Sequence, residues 1–339
     1  MCFQMKTAAG FALLLGLALF AALTLYEGAG DVARAVSSVG FGVLWVVIIR
    51  LAQTFLASFA WRVLLPRPRP RPWLTARLRL VRESINNLLP VAQIGGEVVG
   101  ARLLRKHGAA GGAAAASVIG DLLALTATQV VFTLLGVFFL VDHRVNADLT
   151  FGIVAGLVIM APALAGFWLA PRLLAMGWLD RLAAFVEQRA GWASVSGLPA
   201  LRAAFDGMLR RRSGLTLSLG LHLGAWFVGV LEIWLALYLL GDPRSYGAAL
   251  AIESLGHAVR AAGFLIPGAW GVQEGGYIAL CAAFGIGSPT AIALSLIKRI
   301  PDFVLGAPGL WLWRRMEGSS LREVFFREKF SPREEPHGL

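Results

Sequence analysis

Ten ionisable side chains stand in stretches that are otherwise apolar or glycine-rich: Glu97, Asp121, Glu232, Glu253, His257, Arg260, Glu274, Lys298, Arg299 and Asp302. Three of them, Glu253, His257 and Arg260, fall at i, i+4 and i+7 of "AIESLGHAVRAAGF". That spacing sets an acid, a base and a cation on one helical face. Lys298 and Asp302 are i, i+4 in "SLIKRIPDF", with Arg299 beside them and Pro301 loosening the turn. Glu232 is isolated in "GVLEIWLALYLL". A charge at mid-membrane costs about 2.5–3.5 kcal/mol on insertion scales, so each of these groups requires a partner or a polar path. Complementary signs suggest a salt-bridge network around such a path, because holding helices together rarely needs this many groups; the alternative is pairs that only do that. Arg50, Arg62 and His222 say less: Arg62 can snorkel to the interface, and a lone histidine is more often a satisfied core residue.

Enzyme chemistry has little to work with. The five histidines, at 107, 143, 222, 257 and 337, show no metal-ligand spacing, and Cys2 and Cys281 offer neither a metal pair nor a disulfide framework. No H-E-x-x-H, G-x-S-x-G or P-loop is present. A general base at His257 beside Glu253 is the one catalytic arrangement conceivable, and the expectation is no enzyme, no cofactor and no metal.

The elements that must position these charges follow from composition. Of 339 residues, 57% are hydrophobic and 15% charged, which is membrane composition. Runs long enough for a hydrocarbon core of about 30 Å predict six full transmembrane helices, at 8–26, 41–65, 113–140, 149–170, 214–240 and 290–313. The first lacks an A-x-A cleavage site and reads as a retained anchor. Two further segments, 83–105 and 247–286, are apolar but broken. The fold class is therefore an all-α polytopic membrane protein with one transmembrane domain, 1–313, a cytoplasmic amphipathic linker at 171–213 and a basic tail at 314–339. Basic residues number 23 on the side assigned to the cytoplasm, six of them arginines between 67 and 82. The other side holds Arg34, Arg144 and Arg244. The positive-inside rule places both termini in the cytoplasm and assigns most of the +11 net charge to topology and anionic-phospholipid contact. A nucleic-acid partner is not expected. "PRPRPRPW", 66–73, reads as a stiff loop at headgroup level, or else as a ligand for a proline-binding module.

The two broken segments are related. "LLPVAQIGGEVVG" and "LIPGAWGVQEGGY" each place a glutamate seven residues after a proline, Pro90 to Glu97 and Pro267 to Glu274. The helices that follow share Ala113/Ala291, Ala115/Ala293, Ser117/Ser295 and Ile119/Ile297, and Asp121 occupies the place of Arg299. Three crossings separate the motifs, so the second copy is expected upside down: an inverted repeat, about 8–140 and 149–313, each half with a broken re-entrant hairpin. Irregular backbone at membrane depth must be buried in protein or line a wet cavity. Half-helices starting near Gly96 and Gly271 would aim positive dipole ends into that cavity. The other account of the glycines, Gly100 and Gly275 above all, is close helix packing. Glu274 needs a cation, and Arg260, Lys298 and Arg299 are the candidates.

These blocks, together with "GGEVVGARLLRKHG", "LEIWLALYLLG" and "ALSLIKRIPDFVLGAPGLW", resemble the lysylphosphatidylglycerol synthase transmembrane, flippase-like family. Within it the likeness is to hopanoid-biosynthesis-associated membrane proteins of the HpnL type. The resemblance implies movement of a polar lipid, a hopanoid or a relative, between leaflets of a bacterial inner membrane, with membrane lipids and lipid-biosynthesis enzymes as partners. It carries the family's broken-helix motif onto Pro90, Gly95, Gly96 and Glu97, and onto Pro267, Gly268, Gly271, Glu274 and Gly275. The departure is Trp270 in "PGAWG", where a small or aliphatic residue would be usual. No aminoacyl-transferase domain follows the last span, so synthesis of aminoacylated lipid is not expected. The rival expectation is a non-transporting scaffold for lipid-synthesising enzymes, which would not need buried charges at repeat-related positions.

Overall fold

The computed structural model describes Leu25 and residues 29–89, 95–142, 198–263 and 269–317, and the regular structure among them is helical. After α1 (Ala29–Ser38) and a 3-10 turn (Gly40–Gly42) come α2 (Val43–Leu64), α3 (Pro72–Leu88), α4 (Gly95–Lys106) and α5 (Gly111–Asp142). Then follow α6 (Leu198–Arg210), α7 (Arg212–Leu239), α8 (Tyr246–Ala262), α9 (Val272–Ala283) and α10 (Ser288–Glu317). Among the described residues three helical stretches are long and apolar enough to cross a membrane: Gly40–Leu64, Gly111–Val141 and Arg212–Leu239. They coincide with three of the six spans expected. Helix α10 is 30 residues long, but Lys298, Arg299 and Asp302 in its middle deny it the composition of an apolar span. The spans expected at 8–26, apart from Leu25, and at 149–170, the linker up to 197, the tail beyond Glu317, and Pro90, Pro267 and Gly268 of the broken motifs lie outside the described residues.

Local chemistry sets the boundaries. Leu65 is extended before Pro66, as a residue preceding proline tends to be, and α2 ends there. Helix α3 starts with Pro72 in its first turn, where the missing N–H costs nothing. Helix α8 is capped by Ser245, whose hydroxyl accepts from the Ala248 N–H at 3.2 Å. Ahead of α9, Ala269 and Gly271 both take positive φ, at 50° and 77°. Ala269 carries the strain of that conformation, about 1–2 kcal/mol, while Gly271 adopts it freely.

Helix α2 packs mainly along α7, α5 along α8, and α3 along α10. Small residues allow the last two approaches: a Cβ on Gly136 would collide with Ser254, and one on Gly309 with Ser84. One buried cluster joins α5, α7, α9 and α10 through Phe132, Ile233, Tyr277 and Leu294, and another joins α2 to α5 through Trp61, Ile85, Leu104 and Val118.

Contacts at the helix ends sort the chain onto two sides. On the first, the α6–α7 junction meets the end of α2, where Arg211 donates to the carbonyls of Leu65 and Leu64 at 2.9 and 2.8 Å. The end of α4 meets the end of α10, where Lys106 donates to the Met316 carbonyl at 3.0 Å. On the second, Arg244 before α8 donates to the Gly285 carbonyl after α9 at 3.1 Å, and Leu239 of α7 abuts Gly42. Two expectations are corrected here. The Pro-Arg loop stops at Arg71, so Arg77, Arg79 and Arg82 belong to α3, and Arg79 and Arg82 are buried. Helix α10 continues past 313 to Glu317, which is buried and paired with Arg102.

Candidate functional site

Asp121 lies ten residues into α5 and His222 ten residues into α7, each about 15 Å along its helix from the first side at 1.5 Å per residue. That depth is halfway through a core of about 30 Å. The two side chains meet there, Asp121 Oδ1 to His222 Nε2 at 3.0 Å, and both are fully buried. The other carboxylate oxygen of Asp121 takes Arg79 at 2.8 Å and Arg82 at 2.9 Å. Arg79 also pairs with Glu83 at 2.7 Å, and Thr54 of α2 donates to Glu83 at 2.8 Å.

Arg82 links this group to the first broken motif, because it also pairs with Glu97 in the opening turn of α4. Asn86 completes the junction by accepting from the Gly96 N–H at 2.8 Å and donating to Glu97 at 3.2 Å. No Cβ fits at Gly96, which would strike the Arg82 carbonyl, and one at Gly100 would lie 2.6 Å from the Arg82 side chain. Both glycines therefore let α4 approach α3. Around Gly275 there is nothing within 4 Å of such a Cβ, so close packing does not explain that residue.

The second broken motif is built on Glu274, fully buried in the first turn of α9. Its oxygens accept from the Gly271 N–H at 2.6 Å, from Ser295 at 3.0 Å and from Arg299 at 2.8 Å. Of the three candidate cations, Arg299 is the partner. Its guanidinium also stands 3.8 Å from the Trp270 ring centroid, so the departure at Trp270 supplies a cation–π face.

A third group joins the two. Arg50 forms a bidentate pair with Glu232 at 2.9 and 2.8 Å and approaches Asp302 at 3.7 Å. Glu253 pairs with Lys298 and with His257, the latter at 3.1 Å. Arg260 reaches Asp302 at 3.5 Å, Gln273 at 3.2 Å and Asn87 at 3.1 Å, while Asn87 donates to Asp302 at 3.1 Å. Lys298 and Asp302, four residues apart, thus take different partners.

Between these groups lies a cavity of about 330 Å³, walled by α2, α3, α4, α5, α7 and α8. Arg50, Arg79, Arg82 and Arg260 face it from three helices, with Glu83, Glu97, Asn86, Asn87 and both His222 and His257. Arg82 is almost fully buried over the Trp61 ring, yet its Nε and Nη1 carry no hydrogen bond, nor does His222 Nδ1. Buried guanidinium donors left in this state are rare in folded proteins. All ten candidate residues of the sequence belong to the paired groups. Arg50, Arg79, Arg82, Glu83, Asn86, Asn87 and His222 were missed, or set aside as loop or core.

The family model for the lysylphosphatidylglycerol synthase TM region matches residues 8–309. No curated protein and no solved structure matches the chain significantly. The match spans the three apolar helices, both broken motifs and every residue of the charged cavity, and the chain belongs to the lysylphosphatidylglycerol synthase transmembrane family.

Proposed function

We propose that the chain carries a polar lipid between leaflets, the headgroup passing through the central cavity while the tails stay in the bilayer. The observation that carries this reading is the pair of unused donors on Arg82, Nε and Nη1, at the wall of a polar, mid-depth cavity. A structural pair has no reason to leave them bare, whereas headgroup oxygens would accept from them. Every carboxylate there already holds a cation, so a headgroup can enter by exchanging partners without exposing a lone charge. On the resemblance, the cargo is a hopanoid or a related lipid and the membrane is the bacterial inner membrane. Neither enzyme chemistry nor a cofactor enters the scheme.

The helix lengths support two inverted halves. Helices of 17, 12 and 32 residues, α3 to α5, are followed later by helices of 17, 12 and 30, α8 to α10. The first short pair has its outer ends near the side where Arg211 meets α2; the second has them where Arg244 meets Gly285. In this scheme each pair is a re-entrant hairpin, the two entering from opposite faces. In the same scheme the first face, with Arg67, Arg69, Arg71, Arg105, Lys106, Arg210 and Arg212, is the cytoplasmic one, the side to which the positive-inside rule assigns both termini.

The test is lipid translocation in proteoliposomes with Arg260→Gln, which alters the cavity wall at a part-exposed residue. The expected result is at least a tenfold slower rate at near-normal thermal stability. A wild-type rate would overturn the reading and favour the scaffold.

A further inference from the structure

A second cavity, of about 600 Å³, opens at the first side of the molecule, apart from the charged centre. Its inner wall is apolar, from Leu64 of α2, Ala113 and Ala116 of α5, and Met208 of α6. Its mouth is formed by Arg67 and Arg69 of the Pro-Arg loop and by Arg211, and no acidic residue lines it among the described residues. The three apolar helices α2, α5 and α7 all have an end here, which sets the mouth at headgroup depth.

Part of this arginine cluster has a structural purpose. Arg69 donates to the Val63 carbonyl at 3.0 Å and Arg211 to those of Leu64 and Leu65, so both cap the negative end of α2. Arg62 donates to the Pro70 carbonyl at 2.8 Å and holds the loop. Capping does not account for Arg67, which is exposed and adds a positive charge to a place that already has three. Nor does it account for the cavity. The crowding is felt by Arg69, whose guanidinium pKa is lowered by burial and then by Arg67, Arg62 and Arg211. Uncompensated guanidinium groups around an apolar pocket match a phosphodiester joined to hydrocarbon.

We propose that this pocket binds an anionic phospholipid, its phosphodiester among Arg67, Arg69 and Arg211 and an acyl chain along Leu64, Ala116 and Met208. The site is independent of the transport path: it would pin the end of α2, the Pro-Arg loop and the α6–α7 junction to the leaflet surface. Its volume lies within the roughly 300–1,000 Å³ of small-molecule sites.

The experiment measures phosphatidylglycerol binding to the delipidated full chain by native mass spectrometry, with phosphatidylcholine and inorganic phosphate as comparison probes. Arg67→Gln breaks no hydrogen bond, so it leaves the fold intact, and Arg77→Gln on the exposed face of α3 removes the same charge outside the pocket. Phosphatidylglycerol is expected to bind at least tenfold more tightly than phosphatidylcholine. Arg67→Gln is expected to weaken it about fivefold, the loss of one basic contact at a membrane surface, and Arg77→Gln to leave it unchanged. Equal weakening by both variants would overturn the proposal by showing diffuse attraction. So would equal binding of the two lipids, or displacement of phosphatidylglycerol by millimolar phosphate, since the site would then hold a free anion.

Discussion

Replacing Glu274 and Arg299, singly and together, tests whether the second broken motif is held by the pair described. Glu274 is fully buried and its two oxygens serve three donors: Arg299, Ser295 and the Gly271 N–H. In Glu274→Gln one of those oxygens becomes an NH2 group. It must then face either the Arg299 guanidinium or the Gly271 N–H, donor against donor. Breaking a buried ion pair by removing one partner costs about 3–5 kcal/mol, and the loss of the Gly271 bond falls within that figure. At about 2–3 °C per kcal/mol for a chain of this size, the melting temperature should fall by roughly 6–15 °C. Arg299→Gln should fall at the lower end, because Ser295 and the Gly271 N–H still donate to the carboxylate.

The double variant leaves two neutral amides that can hydrogen-bond to each other. Its melting temperature should lie above the sum of the two losses by a coupling of about 2–3 kcal/mol, near the upper end for contacting residues. The assay is thermal unfolding of the purified protein in mild detergent, followed by tryptophan fluorescence. Strictly additive losses would refute the pairing. From sequence alone Glu274→Gln reads as a folded, transport-poor variant; the bond to Gly271 makes it a stability variant first.

Two further outcomes follow from the same geometry. Gly96→Ala should abolish stable folding or cost more than 10 °C, because its Cβ meets the Arg82 carbonyl and Asn86, whereas Gly275→Ala, in open space, should be neutral or gain up to about 1 kcal/mol from helix propensity; circular-dichroism melts of the two variants decide it, and equal losses would contradict the packing. Single cysteines at Pro70 and Arg244 should react with an impermeant maleimide from opposite sides of the membrane in oriented vesicles, and labelling of both from one side would contradict the two-sided arrangement of the helix ends.

Much of the helical frame was legible because apolar length is a one-dimensional signal. The expected runs at 41–65, 113–140 and 214–240 differ by a few residues from the helical stretches Gly40–Leu64, Gly111–Val141 and Arg212–Leu239. The breaks were legible too, from Pro and Gly in apolar context, and α4 and α9 begin at Gly95 and just after Gly271. What failed was the assignment of Arg79 and Arg82. They follow the alternating Arg and Pro of the loop, so composition groups them with it, yet Pro72 restarts a helix that carries them inward. A signal was available: Arg79, Arg82 and Asn86 recur at i, i+3 and i+7, one face of a helix. Arg50 and His222 had no such pattern. Their roles depend on Glu232 and Asp121, which lie 182 and 101 residues away, and no local rule links residues so far apart.

The placement of the pairs bears on how the proposed transport would work. Within the first half, Arg82 ties α3 to α4 and α5; within the second, Glu274 ties α9 to α10. Each of the short helices α4 and α9 is thus fastened, directly or through Arg82, to the long helix that follows it by buried charge. Between α3 and the helices of the second half, by contrast, the polar link among the described residues rests on Asn87, bonded to Arg260 of α8 at 3.1 Å and to Asp302 of α10 at 3.1 Å. An amide bond to a charged group contributes about 1.5–3 kcal/mol, less than a buried ion pair costs to break. Motion of α3 against α8 and α10 would therefore part at Asn87, at the wall of the cavity, and leave the Arg82 and Glu274 groups intact, whereas motion of one whole half against the other would also have to exchange the Arg50–Glu232 and Asp121–His222 contacts. In the proposed scheme the ion pair between the halves, Arg50–Glu232, and the weaker amide link at Asn87 both border the cavity, where an entering headgroup could take the place of a partner.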